Sequence, residues 1–468
     1  MSNDPSKTTP AVDAMREDWA VVDPLMNGTK GMRAAGTALL PKWPKEDVEA
    51  YKARLSASTL LPAYSETVAS MTGRVFAKPV TVGENVPARI VELTEDIDQQ
   101  GNNLQVWLQE FFSIGLSRGI CFALVDYPRA AGIRTRADEI AAGVRPYSVI
   151  IKPEQVLGWK SVGQAGGQVL TMFRYLESVE EDDPENEFVS KTIQQVRVLE
   201  IGKWAVWRKR EVNGKTEWFV FEEGVTTLPL IPLAVLYTKR TGFMTAKPPL
   251  MELAHLNIKH WQSQSDQDNI LHVARVPLLV AINPGDTVDA AGKMVPWEMT
   301  IGTSSATRMG PDGDLKYVEH TGKAIEAGRV SLQDLEAQMR MAGGKLLQRE
   351  QSGAKTATQA DEEAAQDNSP LETMAGRLED CADQILQLFA MWLGLADGGN
   401  IKVNGNFDAD FIPEVTLPML LNMRNSGALS DETLFNEMLR RRVVSDDLKW
   451  QDEKERIEQQ GPALGAMR

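Results

Sequence analysis

One stretch of this chain, residues 370–395, has the hydrophobic pattern of a long helix that is buried along one face. Its apolar residues recur at intervals of three and four, which places them on one side of an α-helix: Leu378, Cys381, Ala382, Ile385, Leu388, Phe389, Trp392 and Leu395. The segment before it, from Thr356 to Pro370, is small and polar and carries no catalytic motif. A helix with a complete apolar face needs a second apolar surface, so we expect it inside a packed assembly.

A second helical repeat lies upstream of the polar segment. Gly343 and Gly344 fall inside this repeat, and we expect them to break or loosen the helix. Its apolar residues follow the a/d spacing of a helix packed against other helices: Leu332, Leu335, Met339, Ala342 and Leu346. Two long helices around a flexible polar connection are more typical of a mechanical part than of an active site.

The length and composition indicate a multidomain protein of a reducing compartment. A chain of 468 residues is too long for one simple core, and we expect two or three domains. No apolar run approaches the roughly 20 residues that span a bilayer, and the first residues lack the features of a secretion signal. Cys121 and Cys381 both lie in apolar patterns, so we interpret them as small core residues and expect no disulfide framework.

The net charge of −15, from 65 acidic and 50 basic residues, restricts the classes of partner. Proteins that read DNA sequence gain most of their affinity from basic residues on phosphates, and this balance argues against that class. An acidic wall repels phosphate, so the same balance is compatible with a channel through which DNA slides.

Helix and strand signals alternate through the first half of the chain. Helices are predicted at about 45–56 and 60–75, and a third begins after the capping residue Asn103 and stops at Gly119. The continuous apolar run 120–125 then predicts a strand that is buried on both faces.

A β-rich region follows from about 146 to 237. Asn213 and Gly214 separate two alternating strands, which predicts a hairpin with a type I′ turn. Residues 180–187 contain six acids. We interpret them either as a solvated hairpin tip or as a site for a cation or a partner.

The second half is predicted to be mainly helical. A helix of about 26 residues begins at Pro248, and its part 262–269 is polar on every face. Such a stretch either crosses solvent or meets equally polar neighbours. A strand is predicted over 401–412, and two short helices follow, the first ended by Gly427 and the second capped by Ser430.

No catalytic constellation is found in the sequence. The motifs of a nucleophile elbow, a zinc-binding histidine pair, a paired-cysteine site and a phosphate-binding loop are all absent. His255 and His260 are five residues apart on a helix and cannot share a metal. Two aspartate pairs could hold a divalent ion, although lone pairs of this spacing are commoner on solvated faces: Asp266 with Asp268, and Asp408 with Asp410. We therefore predict no catalytic, cofactor-binding or metal-binding residue and no cofactor.

Five segments in order along the chain resemble the portal proteins of tailed bacteriophages, which form the head-to-tail connector ring. The segments are a helix-to-strand unit from Leu116 to Pro128, a strand and turn from Arg145 to Trp159, a long helix from Pro248 to Pro277, the stretch from Lys355 to Leu378, and a helix pair around Ser426 to Thr433. Together they lie between about 110 and 455.

The resemblance implies an α+β fold with the parts of a portal subunit. These parts would be a disordered N-terminus at 1–15, an α/β wing with a β-rich part at 16–247, a long stem helix at 248–275, a small β-rich clip within 276–318, a stem helix at 319–348, a channel loop region at 349–369, a kinked channel helix at 370–398, a wing strand at 399–412, and C-terminal crown helices with a charged, frayed tail at 413–468.

The resemblance also implies partners and a location. The chain would form a homo-oligomeric ring, normally a dodecamer, at one capsid vertex of a virion that is assembled in the host cytoplasm. It would contact the major capsid protein, the terminase large subunit and neck or adaptor proteins. Double-stranded DNA would pass through it during packaging and ejection, by transient and non-specific contact.

Two sets of residues are candidates for these roles. Lys345, Arg349, Lys355 and Gln359 are expected to project from the channel loop toward DNA, with a solvated surface loop as the alternative. A second set is expected to pack within and between subunits: Ile385, Leu388 and Trp392.

Two other functions fit the sequence less well. One is a helical scaffold or adaptor of the virion, which the size of the oligomer would distinguish from a ring. The other is a metal-dependent hydrolase that uses an aspartate pair, which a turnover assay would detect.

Overall fold

The computed structural model describes residues 4–128, 143–164, 167–183, 186–212, 214–274, 278–283, 287–288, 292–295, 312–318, 323–347, 369–407, 413–440, 443–444 and 448–459. Its mixed content of helices and strands confirms the predicted α+β class. The chain forms two compact units, each discontinuous in sequence. Unit 1 consists of Met1–Asp23, Tyr64–Met251 and Met341–Arg468, and unit 2 consists of Pro24–Ala63 and Glu252–Arg340.

The α-helices of the described residues are α1 Pro10–Met26, α2 Gly28–Ala35, α3 Val48–Ala57, α4 Ala63–Val75, α5 Ala88–Thr94, α6 Leu104–Arg118, α7 Met251–Ala274, α8 Lys323–Gly344, α9 Pro370–Leu393, α10 Pro413–Asn425, α11 Asp431–Arg440 and α12 Trp450–Gln459. Within the described part of the chain, none of these helices has the length and hydropathy needed to cross a membrane.

The strands are β1 Thr81–Val82, β2 Ile120–Asp126, β3 Tyr147–Ile151, β4 Val156–Gln164, β5 Gly167–Asp183, β6 Asn186–Glu200, β7 Lys203–Val212, β8 Lys215–Val225, β9 Leu233–Tyr237, β10 Arg240–Gly242, β11 Thr245–Ala246, β12 Leu278–Ile282, β13 Thr287–Val288, β14 Met294–Val295, β15 Asp314–Val318 and β16 Ile401–Lys402. The two larger sheets, both in unit 1, have the orders β3-β2-β9 and β4-β5-β6-β7-β8.

The three-stranded antiparallel sheet forms the core of unit 1. Its central strand β2 is buried from Ile120 through Val125, as the apolar run predicts. The side chain of Asn103 accepts a hydrogen bond from the amide of Val106 at 3.0 Å and so caps α6. Gly119 ends that helix at φ +92°, where a side chain would also collide with the carbonyl of Lys247. The predicted helix-to-strand unit is therefore confirmed.

Two side chains from elsewhere in unit 1 satisfy carbonyls in the last turn of α6. The indole of Trp19 donates to the carbonyl oxygen of Arg118 at 3.0 Å, and the hydroxyl of Tyr64 donates to that of Ser117 at 2.6 Å. The last carbonyls of a helix have no partner within it. Trp19 and Tyr64, both almost fully buried, therefore supply the missing donors inside the core.

The five-stranded sheet is an antiparallel meander with one buried face. Phe173 and Tyr175 lie on that face, and the ring centroid of Phe173 is 5.5 Å from that of Phe122 on β2. Gly214, at φ +72°, lies in the two-residue connection between β7 and β8, which confirms the predicted hairpin. The acids of 180–187 were expected between strands, yet β5 continues to Asp183 and β6 starts at Asn186.

Unit 2 contains an antiparallel pair of long helices. The side-chain amide of Gln267 on α7 donates to the carbonyl of Ile325 on α8 at 2.9 Å. Nearer the start of α7, Nε2 of His260 is 3.8 Å from a carboxylate oxygen of Glu336 on α8. Between the two helices in sequence, β12 pairs with β15 and β13 pairs with β14. The part of 276–318 that is described is thus β-structured.

The expected disorder of residues 1–15 is wrong for residues 4–15, since Arg174 donates to the carbonyls of Pro5 and Lys7 and a helix follows. Helix α1 begins at Pro10, and Val12, Met15 and Trp19 repeat at helical spacing and are buried. The apolar positions of the first turns therefore order the helix, although its surface is polar.

Two expectations for the C-terminal region are also wrong. The strand expected over 399–412 is limited to Ile401–Lys402. The next amide, that of Val403, donates a hydrogen bond to a carboxylate oxygen of Glu379 at 2.7 Å instead of to a neighbouring strand. Residues 408–412 lie outside the described residues. The tail expected to fray from 451 forms α12 up to Gln459, and Trp450 packs on Phe435 with a ring-centroid distance of 5.4 Å.

The ends of the long helices differ slightly from the prediction. Helix α7 begins at Met251 rather than at Pro248. Helix α8 reaches Gly344 and then tightens into a 3₁₀ turn over Lys345–Leu347, which agrees with the break expected at the glycine pair. The two short C-terminal helices are confirmed, and the hydroxyl of Ser430 accepts a hydrogen bond from the amide of Thr433 at 3.1 Å.

Candidate functional surfaces

The residues predicted to face DNA fall mostly outside the described part of the chain. Lys345 is exposed in the 3₁₀ turn that follows α8, and its neighbours Leu346 and Leu347 are buried. Arg349, Lys355 and Gln359 lie outside the described residues. The four residues therefore remain a prediction, with only Lys345 placed at the end of a helix.

The apolar face of α9 packs inside unit 1. Ile385 is 1% exposed and Leu388 is buried, and the helix lies against β9 and β2. The indole of Trp392 donates to the carbonyl of Val125 at 2.9 Å and stacks on Tyr127 with centroids 5.4 Å apart. The expected packing of these residues within the subunit is thus described by the structure. A role of the same residues between subunits remains a prediction.

The polar side of α9 holds the segment that follows it. A carboxylate oxygen of Asp383 accepts a hydrogen bond from the amide of Ile401 at 2.8 Å. Burial raises the pKa of Asp383, and the neighbouring acid Asp380 adds to the effect. Arg377 donates to the carbonyl of Thr238 at 2.9 Å. The helix therefore binds chain segments on both of its sides, which sequence periodicity alone does not indicate.

A buried ion pair organises the first part of unit 2. The guanidinium of Arg54 donates to both carboxylate oxygens of Glu46, and it also lies 4.2 Å from the ring centroid of Trp43. Its remaining donors reach the carbonyl of Pro41 at 3.0 Å and the hydroxyl of Ser265 at 3.4 Å. A buried arginine with this set of partners is well satisfied.

The polar part of α7 meets polar neighbours within unit 2. Ser265 is buried, and its hydroxyl is 2.9 Å from that of Ser58. The side-chain amides of Asn257 and Gln262 donate to the carbonyls of Leu61 and Leu39, each at 2.9 Å. Of the two alternatives for 262–269, the second therefore holds for these residues. Sequence reasoning found the polar stretch but had no signal for its partners.

The aspartate pairs and the cysteines were the residues considered for metal or nucleophilic chemistry. The described residues contain no group of three or more metal-ligating side chains. Asp266 lies 4.0 Å from the guanidinium of Arg54, and Asp268 accepts from the amide of Gln264 at 2.7 Å. Burial raises the pKa of the thiols of Cys121 and Cys381, which keeps them protonated and unreactive. Asp408 and Asp410 lie outside the described residues.

Comparison with known proteins finds one family model and several structures. The model of a domain of unknown function (DUF4055) matches residues 249–393, which is less than half of the chain. No curated protein matches.

The similar solved structures include the virion of a native gene transfer agent particle, at 14% identity and a TM-score of 0.38, covering 87% of this chain and 97% of that one. They also include the neck of an empty particle computed with C6 symmetry, at 13% identity and a TM-score of 0.39, with 84% and 93% covered. The neck of the native particle computed with C12 symmetry has 12% identity, a TM-score of 0.34, and 86% and 96% covered. Scores at this level do not establish a common fold.

Proposed function

We propose that the chain is the subunit of a ring-shaped portal at a capsid vertex of a phage-like virion. The observation that carries the proposal is the antiparallel pair α7 and α8, with β-structured residues between them in sequence and α9 after them. A stem of two helices joined by a clip and followed by a channel helix has this order in the family that the chain resembles.

Three further segments of the resemblance lie on helices and strands, whereas the stretch from Lys355 to Leu378 lies mostly outside the described residues. The unit from α6 to β2, the strand β3 with the following turn, and the helix pair α10 and α11 occur in the same sequence order. In the proposal, unit 1 supplies the crown and most of the wing, and unit 2 supplies the stem, the clip and the wing segment Pro24–Ala63. The channel loop follows Lys345, at the end of α8.

The chemistry of the described surfaces supports a structural role. The polar groups described in α7 and around Arg54 are used in internal hydrogen bonds, and the net charge of −15 disfavours firm binding to DNA. In this role the subunit guides the duplex, docks terminase and neck proteins, and leaves ATP hydrolysis to a separate motor.

The mass of the purified protein tests the proposal. The chain has a mass of 51.7 kDa, so a ring of twelve would have about 620 kDa, twelve times the subunit mass. We expect mass photometry to show a species of this order and negative-stain images to show rings with a central hole. A monomer or dimer at every concentration tested would reject the portal and favour an adaptor.

A further inference from the structure

A groove opens on the five-stranded sheet of unit 1. It has a volume of about 990 Å³, and the residues Asp4 to Thr9 form one of its sides. Arg174 fixes that segment by donating to the carbonyls of Pro5 and Lys7 at 2.6 and 3.1 Å. The apolar residues that line it are Trp159, Met172, Val198, Trp204, Trp207 and Val220. We call it the tryptophan groove.

The rim of the tryptophan groove is locally basic in an acidic protein. Four bases line the groove against three acids: Lys7, Lys160, Arg174 and Lys203 against Asp4, Glu200 and Glu223. Lys203 is engaged by Glu200 at 2.5 Å, whereas Lys160 is exposed at the end that β4 contributes. A groove of this kind favours an aromatic or aliphatic side chain that arrives with acidic neighbours.

The protruding part of the β5–β6 hairpin has these properties. Residues 177–183 and 186–195 form ladder pairs only with each other among the described residues. Phe188 near the tip is 88% exposed, and Val189 next to it is also exposed. Residues 178–191 contain six acids and one lysine. An apolar knob on a strongly acidic arm is therefore presented to solvent.

We propose that Phe188 of one subunit inserts into the tryptophan groove of a second copy of this chain. The arm cannot reach its own groove, because Phe188 lies ten residues from Val198 along β6, about 33 Å at the rise of an extended strand. The knob and the groove are different surfaces of one chain, so the contact is head-to-tail and can close a ring. The inference rests on the proposed ring and identifies one of its subunit contacts.

Cysteine cross-linking of the full chain tests this contact. The variant Phe188→Cys combined with Ala205→Cys places one thiol on the arm and one in the groove, with little change in size at residue 205. The native cysteines are buried and do not compete. Under mild oxidation we expect a ladder of covalent oligomers on a denaturing gel, reversed by a thiol reductant.

A matched control replaces the arm cysteine with one on the edge strand of the same sheet. Val162→Cys with Ala205→Cys should remain monomeric on the gel, since Val162 is exposed but lies outside the groove and the arm. If the Phe188→Cys pair gives no covalent oligomer while mass photometry still shows the ring, the arm contact is wrong and the portal proposal survives. If the unoxidised protein forms no ring, both are rejected.

Charge reversal provides a second measurement. Glu180→Lys with Asp182→Lys should slow cross-linking about three- to tenfold, as expected for two exposed ion pairs that are lost. Adding Lys7→Glu with Lys160→Glu should restore the rate. Equal rates in the three proteins would contradict the charge complementarity on which the contact depends.

Discussion

The carboxylate of Glu46 accepts two hydrogen bonds from the guanidinium of Arg54, at 2.7 and 2.8 Å, and both side chains are 4% exposed. The pair joins the segment before α3 to that helix. Through Ser265 the same guanidinium also contacts α7. Two parts of unit 2 that are about 200 residues apart in sequence thus share one buried cation.

Removing the carboxylate should destabilise unit 2. Glu46→Ala leaves the guanidinium of Arg54 buried without its main partner, although the carbonyl of Pro41 remains. We expect a loss of about 2 kcal/mol in the free energy of unfolding, the size of a hydrogen bond to a charged group, measured by urea denaturation. Glu49→Gln is the control, since the exposed ion pair of Glu49 with Lys52 should contribute little to the free energy of unfolding. Equal losses in the two variants would contradict the assignment.

His260 should make the stability of unit 2 depend on pH. Its ring is buried, and burial lowers its pKa below the usual 6.5, although Glu336 opposes the effect. Because the unfolded chain then binds a proton that the folded chain does not, stability is lost as the pH falls below about 6.5. His260→Gln should flatten the thermal stability profile between pH 7.5 and 5.5. The exposed control His255→Gln should follow the unaltered protein, and parallel profiles in all three would refute the prediction.

A charge on the apolar face of α9 should prevent folding or assembly. Ile385→Asp places an unpaired carboxylate in the core of unit 1, at a cost of about 3 kcal/mol or more. Native mass spectrometry and circular dichroism should show loss of the oligomer or of the fold. Gln384→Asp, one residue earlier on the exposed side, should leave both intact. An unchanged oligomer in Ile385→Asp would mean that the face is wrongly placed.

The channel loop should act on DNA without holding the ring together. Alanine at Lys345, Arg349 and Lys355 removes weak phosphate contacts, each of which is screened at physiological salt. We expect an unchanged ring and altered length or retention of the packaged genome. Alanine at the exposed residues Lys42, Lys45 and Lys52 is the control. Normal packaging in the loop variant would support the simple surface loop instead.

The assembled protein should bind duplex DNA weakly and without sequence preference. Twelve chains of −15 carry about −180, twelve times the charge of one, and a ring focuses that field on its channel. We also expect no ATPase activity. A sequence-specific binder would require a basic recognition helix, and the candidate for one is the cluster Arg440-Arg441-Arg442. Sub-micromolar, sequence-dependent binding of DNA that disappears when these arginines are neutralised would contradict the proposal that the ring is a passive channel for DNA.

The hydrophobic periodicity of the sequence correctly predicted those helices and strands whose ends are marked by nearby capping or apolar residues. Helix α6 begins after Asn103 and ends at Gly119, and the run 120–125 that follows has no polar residue. In this part of the chain the local sequence pattern determines the structure. The apolar stripe of α9 was likewise readable, since seven positions repeat at helical spacing. In each case the information lies within four residues of the position that uses it.

The contacts that bind distant segments were not readable from the sequence. Arg54 resembles any surface arginine in α3, and its burial depends on Glu46 before the helix and Ser265 far beyond it. The acids of 180–187 were interpreted as a hairpin tip or a site for a cation or a partner, because acids suppress the strand signal, although the ladder includes Glu180 to Asp183. Long-range pairing outweighs local preference at such positions.

The two-residue ladder between β1 and β16 pairs Thr81 with Lys402 and Val82 with Ile401, about 320 residues apart. Helix α9, which covers the central sheet, is also encoded after residue 369. A ribosome that makes the chain from its first residue therefore releases β2, β3 and β9 long before their covering helix exists. The sheet therefore stays uncovered, and prone to aggregation, until α9 has been synthesised and packs on it.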